Sequence, residues 1–237
     1  MNQPINTAAT HTMSFEEQAR VERTFLTRTY LWMTLGLLTT AVVAGVTANS
    51  ETLLRLIFGT PFVMWGLFFA QLGLVMVLSV AINKLAPALA TLIFFAYAAL
   101  TGLVFAPLLL YYTASSVAST FVVTAGVFGI LTIIGMSTRV DLTAVGTLAF
   151  VGLIGIILMS LVNFFMQSET LYWIISILGV VVFVVLIARD AQRLKRMSIQ
   201  VDPQSDQAAR ASIMGALSLY LNFINLFIFL LRILGRR

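Results

Sequence analysis

The sequence contains no cysteine and one histidine, and charged residues make up only 10% of its 237 residues. Without cysteine the chain has no disulfide framework, no thiolate nucleophile and no cysteine-based zinc site. The one histidine, His11, lies in a polar tail without further ligands nearby, so we interpret it as a solvated side chain. A soluble domain of this length needs far more charge on its surface, which excludes that class of protein.

The sequence is rich in hydrophobic residues instead of charged ones. Hydrophobic residues form 60% of the sequence, and they occur in blocks of about 20, the length that an α-helix needs to cross the hydrocarbon core of a bilayer. Continuous apolar stretches such as residues 121–135 exclude a transmembrane β-barrel, whose strands alternate over short segments. The sequence therefore predicts an all-α, polytopic membrane protein that is embedded in the lipid bilayer.

Seven membrane-spanning helices are predicted. Their approximate bounds are 30–48, 62–82, 88–112, 115–137, 143–166, 171–188 and 211–234. The connections are short, so successive helices are expected to pack antiparallel in one compact unit. Residues 1–29 are interpreted as a polar tail with an interfacial helix, and residues 30–237 as the transmembrane domain.

The basic residues indicate the orientation of the chain. The formal net charge is +5, but lysines and arginines lie at the ends of the predicted spans, which topology explains without a nucleic-acid partner. The positive-inside rule then places the amino terminus in the cytoplasm. The last helix is long enough to cross at ~1.5 Å per residue, so we expect the carboxyl terminus on the outside.

The last two predicted spans carry the most informative polar residues. Asp190 is the carboxylate that abuts their apolar part, just after the apolar segment that ends at Ala188. On the final helix, small and polar residues recur at spacings of three, four and seven, so they share one helix face; they are Ala211, Gly215, Ser218, Asn222, Asn225 and Arg232. Asn side chains at membrane depth face protein or a water-filled cavity, so this face is expected to point toward other helices.

Sequence motifs for catalysis are absent. The chain has no phosphate-binding GxxxxGK[ST] loop, no HExxH and no nucleophile elbow. An intramembrane protease needs a pair of aspartates or a set of metal ligands, and a single Asp190 and a single His11 provide neither. We therefore predict that the protein is not an enzyme and carries no cofactor.

The final helix resembles a known family. Its sequence ALSLYLNFINLFIFLLRILG is similar to the terminal signature of the transmembrane Bax inhibitor motif family, whose characteristic core reads Leu-Tyr-Leu-Asp-Phe-Ile-Asn-Leu-Phe. A second family pattern is matched by Tyr97, Ala98, Gly102 and Pro107. The segments GMSTRVDLTAVG and LIARDAQRLK resemble the connection between the fourth and fifth spans and the end of the sixth. The resemblance covers the chain from about Tyr30 onward.

The resemblance implies six helices around a central seventh in a bacterial inner membrane, and a pH-sensitive calcium leak. Two aspartates that share a proton control such a leak. Asp190 matches the first and would meet calcium as the transported ion, while the second falls on Asn222. Asn225 agrees with the motif, and a basic residue that contacts the pair falls near Lys84. Because Asn222 cannot ionise, we expect weaker pH-dependent gating than in a two-aspartate relative.

Other interpretations stay open at this point. Asp190 also suits the role of an ordinary charge at the cytoplasmic end of a span, paired with Arg193 one turn on or screened by Arg189 and Lys195. Asn222 and Asn225 also suit a structural role, as hydrogen-bonding groups that fix the register of the last helix. The alternative function is a membrane-embedded regulator of a membrane-anchored protease or of stress survival, with residues 1–20 as the binding segment. Gly126, Gly129, Gly152 and Gly155 are predicted to permit close helix approach.

Overall fold

The computed structural model describes residues 15–202 and 205–236, which form eight α-helices and contain no strand. The other positions, including His11 and the first half of the predicted tail, lie outside the described residues. The helices are α1 (Phe15–Ala48), α2 (Glu51–Phe58), α3 (Pro61–Ala81), α4 (Pro87–Tyr111), α5 (Ala114–Ser137), α6 (Thr143–Met166), α7 (Glu169–Ser198) and α8 (Asp206–Leu234). A single 3₁₀ turn, Ile82–Lys84, follows α3.

Seven of these helices are long and apolar enough to cross a membrane, which confirms the predicted number of spans in the described part of the chain. They are α1 and α3 to α8. The predicted interfacial helix and the first span form one continuous helix, α1. The short helix α2 was not predicted; its first turn is capped by Ser50, whose side chain accepts a hydrogen bond from the Leu53 amide at 3.4 Å.

The helix ends follow from local chemistry. Pro61 and Pro87 stand at the first turns of α3 and α4, where the missing amide hydrogen costs nothing. Ser205 caps α8 by accepting a hydrogen bond from the Ala208 amide at 3.1 Å, so this helix begins earlier than residue 211. Gln167 adopts a left-handed conformation with φ 49°, which ends α6 and turns the chain into α7.

The helix α8 is the most buried of the seven spans. Of its apolar stretch 67% is buried, against 6% for α3 and 17% for both α5 and α6. It packs mainly against α1, α4, α5 and α7, while α3 packs on α4 and α6 packs on α7. This arrangement is compatible with the central last helix that the sequence predicted. Large apolar side chains on the outer helices, such as Phe62, Leu148 and Phe164, are exposed and suit contact with lipid.

The connections gather at two ends of the bundle. At one end, which we call the basic end, the connections after α3, α5 and α7 lie together: Arg210 donates to the Asn83 carbonyl at 3.2 Å, and Gln192 donates to the Val140 carbonyl at 2.7 Å. At the opposite end the Thr113 amide donates to the Arg236 carbonyl at 3.2 Å. The helix α8 therefore runs the full height of the bundle, as expected for a helix that crosses.

Candidate functional site

Asp190 lies inside the bundle on α7. Its side chain is only 8% exposed, because α5 and α8 pack on both sides of this part of the helix. On the α5 side the two backbones touch: a Cβ atom built on Gly135 would collide with the Ala188 carbonyl oxygen. The end of the apolar span thus places a carboxylate in the interior, where an ionised group needs partners.

The Asp190 carboxylate has three such partners. Arg189 donates to Oδ1 through its Nη1 at 2.9 Å, and this ion pair is the one that Asp190 makes among the described residues. Ser218 and Asn222, both on α8, donate to Oδ2 at 2.5 Å and 2.9 Å. We call these four residues the carboxylate cluster. Each carboxylate oxygen is satisfied, so the charge is held between α7 and α8.

Only some residues of the polar face predicted on α8 belong to the carboxylate cluster. Ser218 and Asn222 face Asp190, but Asn225 donates to the Leu221 carbonyl of its own helix at 2.8 Å. Arg232 reaches the opposite end, where its guanidinium carbon lies 5.5 Å from the ring centroid of Tyr172 and 5.4 Å from that of Phe229. The structure therefore brings two of the four predicted site residues, Asp190 and Asn222, into direct contact.

Lys84 does not join the carboxylate cluster. It is exposed in the 3₁₀ turn after α3, and Arg189 is the basic group beside the carboxylate. The alternative in which Arg193 pairs with Asp190 was wrong, because Arg193 is exposed and makes no ion pair with Asp190 in the described part of the chain. The alternative in which Arg189 screens Asp190 is confirmed by their ion pair.

Four hydrogen-bonding groups form a second polar site on a different face of α8. The Tyr220 hydroxyl lies 2.7 Å from the Thr40 hydroxyl, which also donates to the Ala98 carbonyl at 2.8 Å. The Tyr220 ring packs edge to face against Phe94, with centroids 5.8 Å apart. We call Tyr220, Thr40 and the Ala98 carbonyl, with the Gly36 carbonyl that Thr40 also reaches, the tyrosine cluster. It joins α1, α4 and α8 and carries no charge.

Two members of the carboxylate cluster, Ser218 and Arg189, were not named as gating residues from the sequence, although Ser218 was placed on the polar face and Arg189 was named as a charge that screens Asp190. Ser218 stood in the predicted polar face, four positions before Asn222, and that spacing alone put it one turn away on the same side. Arg189 precedes Asp190 directly, and the side chains of adjacent helix residues usually point in different directions. The arginine side chain is long enough to reach back to the Asp190 carboxylate. Gly146 makes this possible, because a Cβ atom there would lie 2.5 Å from Arg189 Cγ.

This arrangement can hold one ionised carboxylate in a poorly solvated place, with neutral oxygen-bearing groups beside it. Among residues 15–202 and 205–236, no three His, Cys, Asp or Glu side chains come together as a metal site. In the carboxylate cluster Asp190 is the one charged oxygen donor among the described residues. A pair of aspartates that shares a proton is absent from it, since Asn222 stands opposite Asp190.

The fold and this site define a polytopic helical membrane protein with a carboxylate buried between its last two spans. The family described as Inhibitor of apoptosis-promoting Bax1 matches residues 22–237, and the chain belongs to that family. It is 50% identical to the inner membrane protein YbhL of Escherichia coli over 91% of this chain and 92% of that protein. An uncharacterised protein of Deinococcus radiodurans is 43% identical over 89% of this chain and 90% of its own length. An uncharacterised protein of Borreliella burgdorferi is 38% identical, over 94% and 96%.

Proposed function

We propose that this protein is an ion leak of the bacterial inner membrane, with calcium as the transported ion and the amino terminus in the cytoplasm. The observation that carries the proposal is the Asp190 carboxylate, which is buried between two spans and satisfied by three donors. Buried carboxylates in membrane helices are rare and costly, and those that occur mark ion and proton pathways. We propose no enzymatic activity.

The chemistry of Asp190 suits calcium. Calcium is a hard cation that takes oxygen ligands, and it must give up part of its water to pass a constriction. Asp190 supplies a charged oxygen pair, and the Asn222 amide and Ser218 hydroxyl bring neutral oxygens into the same place. In the described state Arg189 occupies Oδ1 as an internal cation. We propose that this is the closed state and that an entering cation replaces the guanidinium.

The remainder of the proposed path follows α8 toward the opposite end. Asn225 lies one turn beyond Asn222, and Phe229 follows another turn on. The Phe229 ring packs closely against Gly179 of α7, since a Cβ atom on Gly179 would lie 2.6 Å from the ring. Past it, Arg232 and Glu169 line an open cavity of about 570 Å³. Under this proposal Phe229 separates that cavity from the carboxylate cluster, and Asn225 turns its amide oxygen to the ion when the path opens.

The proposed gate depends on pH less steeply than one with two aspartates. Two carboxylates in one poorly solvated place repel each other, and a shared proton relieves the repulsion. Asn222 instead donates a hydrogen bond to the charged Asp190, so ionisation of Asp190 meets no like charge there. Asn222→Asp is expected to add the repulsion and to steepen the dependence of flux on pH near neutrality.

The test is the initial rate of calcium entry into liposomes that contain the purified full chain, measured at stepped pH. We expect flux above that of empty liposomes, a profile that steepens in Asn222→Asp, and a profile flattened in Asp190→Asn. Tyr220→Phe is the matched control, since it removes a polar atom from α8 but outside the proposed path, and its profile is expected to follow the wild type. Four superimposable profiles, or no flux at any pH, would contradict the proposal.

A further inference from the structure

Three arginines at the basic end surround a small cavity, and one of them, Arg189, also belongs to the carboxylate cluster. The volume of the cavity is about 230 Å³, and its lining consists of Thr143 at the start of α6 and of Arg189, Gln192, Arg193 and Arg196 on α7. We call it the arginine pocket. It lies between two spans at the height where the apolar part of α7 gives way to charged residues.

The arginine pocket has more positive charge and more hydrogen-bond donors than the protein around it can satisfy. Each guanidinium carries five N–H donors. Arg189 gives one of its donors to Asp190, and Arg196 pairs with Asp141 at 3.1 Å and with Gln192 Oε1 at 3.1 Å. Arg193 has no ion pair or hydrogen bond in the described part of the chain. Three cations thus face two carboxylates, and most of their donors have no protein acceptor.

The polar groups other than the arginines are already occupied. The Gln192 Oε1 accepts from the Leu142 amide at 2.9 Å and its Nε2 donates to the Val140 carbonyl at 2.7 Å. The Thr143 amide and hydroxyl both donate to Asp141, at 2.9 Å and 2.6 Å. These contacts fix the wall of the pocket, and they leave the guanidinium groups as the donors that remain for a ligand. These donors suit an anion with several acceptor oxygens.

We propose that the arginine pocket binds a phosphate group. Phosphate oxygens match the planar fork of arginine, which is the side chain best suited to such anions. The surroundings favour the phosphate of a membrane lipid, because exposed apolar side chains of α6, Val145 and Leu148, begin within two turns of Thr143. Acyl chains suit that surface while the head group reaches the arginines, and basic pockets between spans are known places for anionic head groups.

Native mass spectrometry of the detergent-solubilised full chain tests the proposal, with phosphatidylglycerol as the probe and phosphatidylcholine as the uncharged comparison. We expect one phosphatidylglycerol to bind in preference to phosphatidylcholine. Arg193→Gln is expected to weaken this binding about fivefold, the contribution of one basic residue beside an anionic lipid. Arg193→Lys is expected to retain part of it, since the charge stays and the fork is lost.

The matched control is Arg139→Gln, which removes the same charge from the same end of the bundle but from an exposed position outside the pocket lining. It is expected to change binding by less than about twofold. Equal losses in Arg139→Gln and Arg193→Gln would show a diffuse attraction and overturn the proposal. Because Arg193 is exposed, the melting temperature of its variants is expected to match the wild type, which checks that binding is lost without loss of fold.

Inorganic phosphate distinguishes the source of the ligand. If the pocket takes a lipid head group, phosphate at tens of millimolar is expected to compete only weakly with phosphatidylglycerol. If phosphate itself binds, with heat in a calorimetric titration that Arg193→Gln lowers, the same site serves a free anion. Either result supports a phosphate site. If the binding of both ligands is the same in Arg193→Gln as in the wild type, the proposal is overturned. The readout is binding alone, so it is independent of whether the protein conducts calcium.

Discussion

The carboxylate cluster and the tyrosine cluster lie on the same helix but differ in charge and in their access to solvent. In the tyrosine cluster every group is neutral, and Tyr220 is fully buried. In the carboxylate cluster Asp190 is buried, while its partner Arg189 is 31% exposed and leads to the surface. A neutral network stabilises a bundle once all of its hydrogen-bonding groups are paired. A buried charge, in contrast, remains sensitive to any cation or proton that reaches it.

The difference assigns a role to each face of α8. Tyr220 connects α8 with α1 and α4 through Thr40 and the Ala98 carbonyl, and its ring fills the space beside Phe94. Asp190 connects α8 with α7 through hydrogen bonds from Ser218 and Asn222, and its other carboxylate oxygen carries the Arg189 guanidinium that the proposed cation replaces. We expect the first face to determine stability and the second to determine function.

The largest effect is expected for Tyr220→Ala. Loss of the ring leaves a cavity at the contact of three helices, and aromatic-to-alanine changes of this kind lower the free energy of unfolding by about 3–5 kcal/mol. Tyr220→Phe removes only the hydroxyl and is expected to cost about 1 kcal/mol. Asp190→Asn keeps the shape of the side chain while Arg189 turns to solvent, so we expect a loss of at most about 2 kcal/mol.

The measurement is unfolding by denaturant in mixed micelles, with the same three variants carried through the calcium flux assay. The comparison predicts opposite rankings: Tyr220→Ala is the least stable, and Asp190→Asn changes flux most among the folded variants. If Asp190→Asn were as unstable as Tyr220→Ala, the carboxylate cluster would be the main structural contact and the division between the two faces would be wrong.

Much of the fold could be predicted because span length and apolarity are properties of the chain itself. Seven spans follow from blocks of about 20 apolar residues, and the polar face of α8 follows from the spacing of Ser218 and Asn222. The contact between Asn222 and Asp190 was expected from the family motif. The short helix α2 was missed, since eight residues are too few to leave a clear periodic pattern.

The glycines show where sequence pattern was insufficient. Gly126, Gly129 and Gly155 were expected at close helix contacts, yet a Cβ atom on any of them would meet nothing within 4 Å. The close approach occurs instead at Gly135, against the Ala188 carbonyl of α7. Spacing identifies glycines that share a face but not the face that meets another helix, which depends on the rotation of each helix in the bundle. The Tyr220 contact was missed for the same reason.

Gly135→Ala is expected to have the next largest effect. The new methyl group collides with the backbone of α7 only two residues before Asp190, so α5 and α7 must separate, at a cost of about 1–3 kcal/mol. Gly129→Ala on the same helix meets open space and is expected to stabilise by about 0.5–1 kcal/mol, because alanine favours the helix.

Melting temperatures of the two alanine variants, measured side by side, check this pair. The calcium flux of both variants provides a second comparison. Gly135→Ala is expected to displace α7 at Ala188 and so to alter the carboxylate cluster and the flux, whereas Gly129→Ala is expected to leave both unchanged. Equal melting temperatures would mean that α5 and α7 do not pack as closely as the Gly135 contact indicates.

The smallest effect is expected at Asp141, in the connection between α5 and α6 and outside the spans. The Thr143 hydroxyl and amide donate to its carboxylate, with the Arg196 guanidinium as a further partner, and together they lower the pKa of Asp141 from 3.8 to about 2. A lowered pKa means that the unfolded chain binds this proton more readily. The stabilisation is therefore present above about pH 4 and is lost as the pH falls through about 2.

Asp141→Asn is accordingly expected to melt slightly below the wild type by an amount that is constant between pH 5 and pH 8. On acidification below about pH 4 the difference is expected to close, since the wild-type carboxyl then takes up the proton. Thermal melting of both proteins at stepped pH measures this difference. A constant gap near neutrality means that Asp141 contributes nothing to a pH response there, so any response of the flux in that range must arise elsewhere. A gap that changed between pH 6 and pH 8 would contradict the lowered pKa of Asp141.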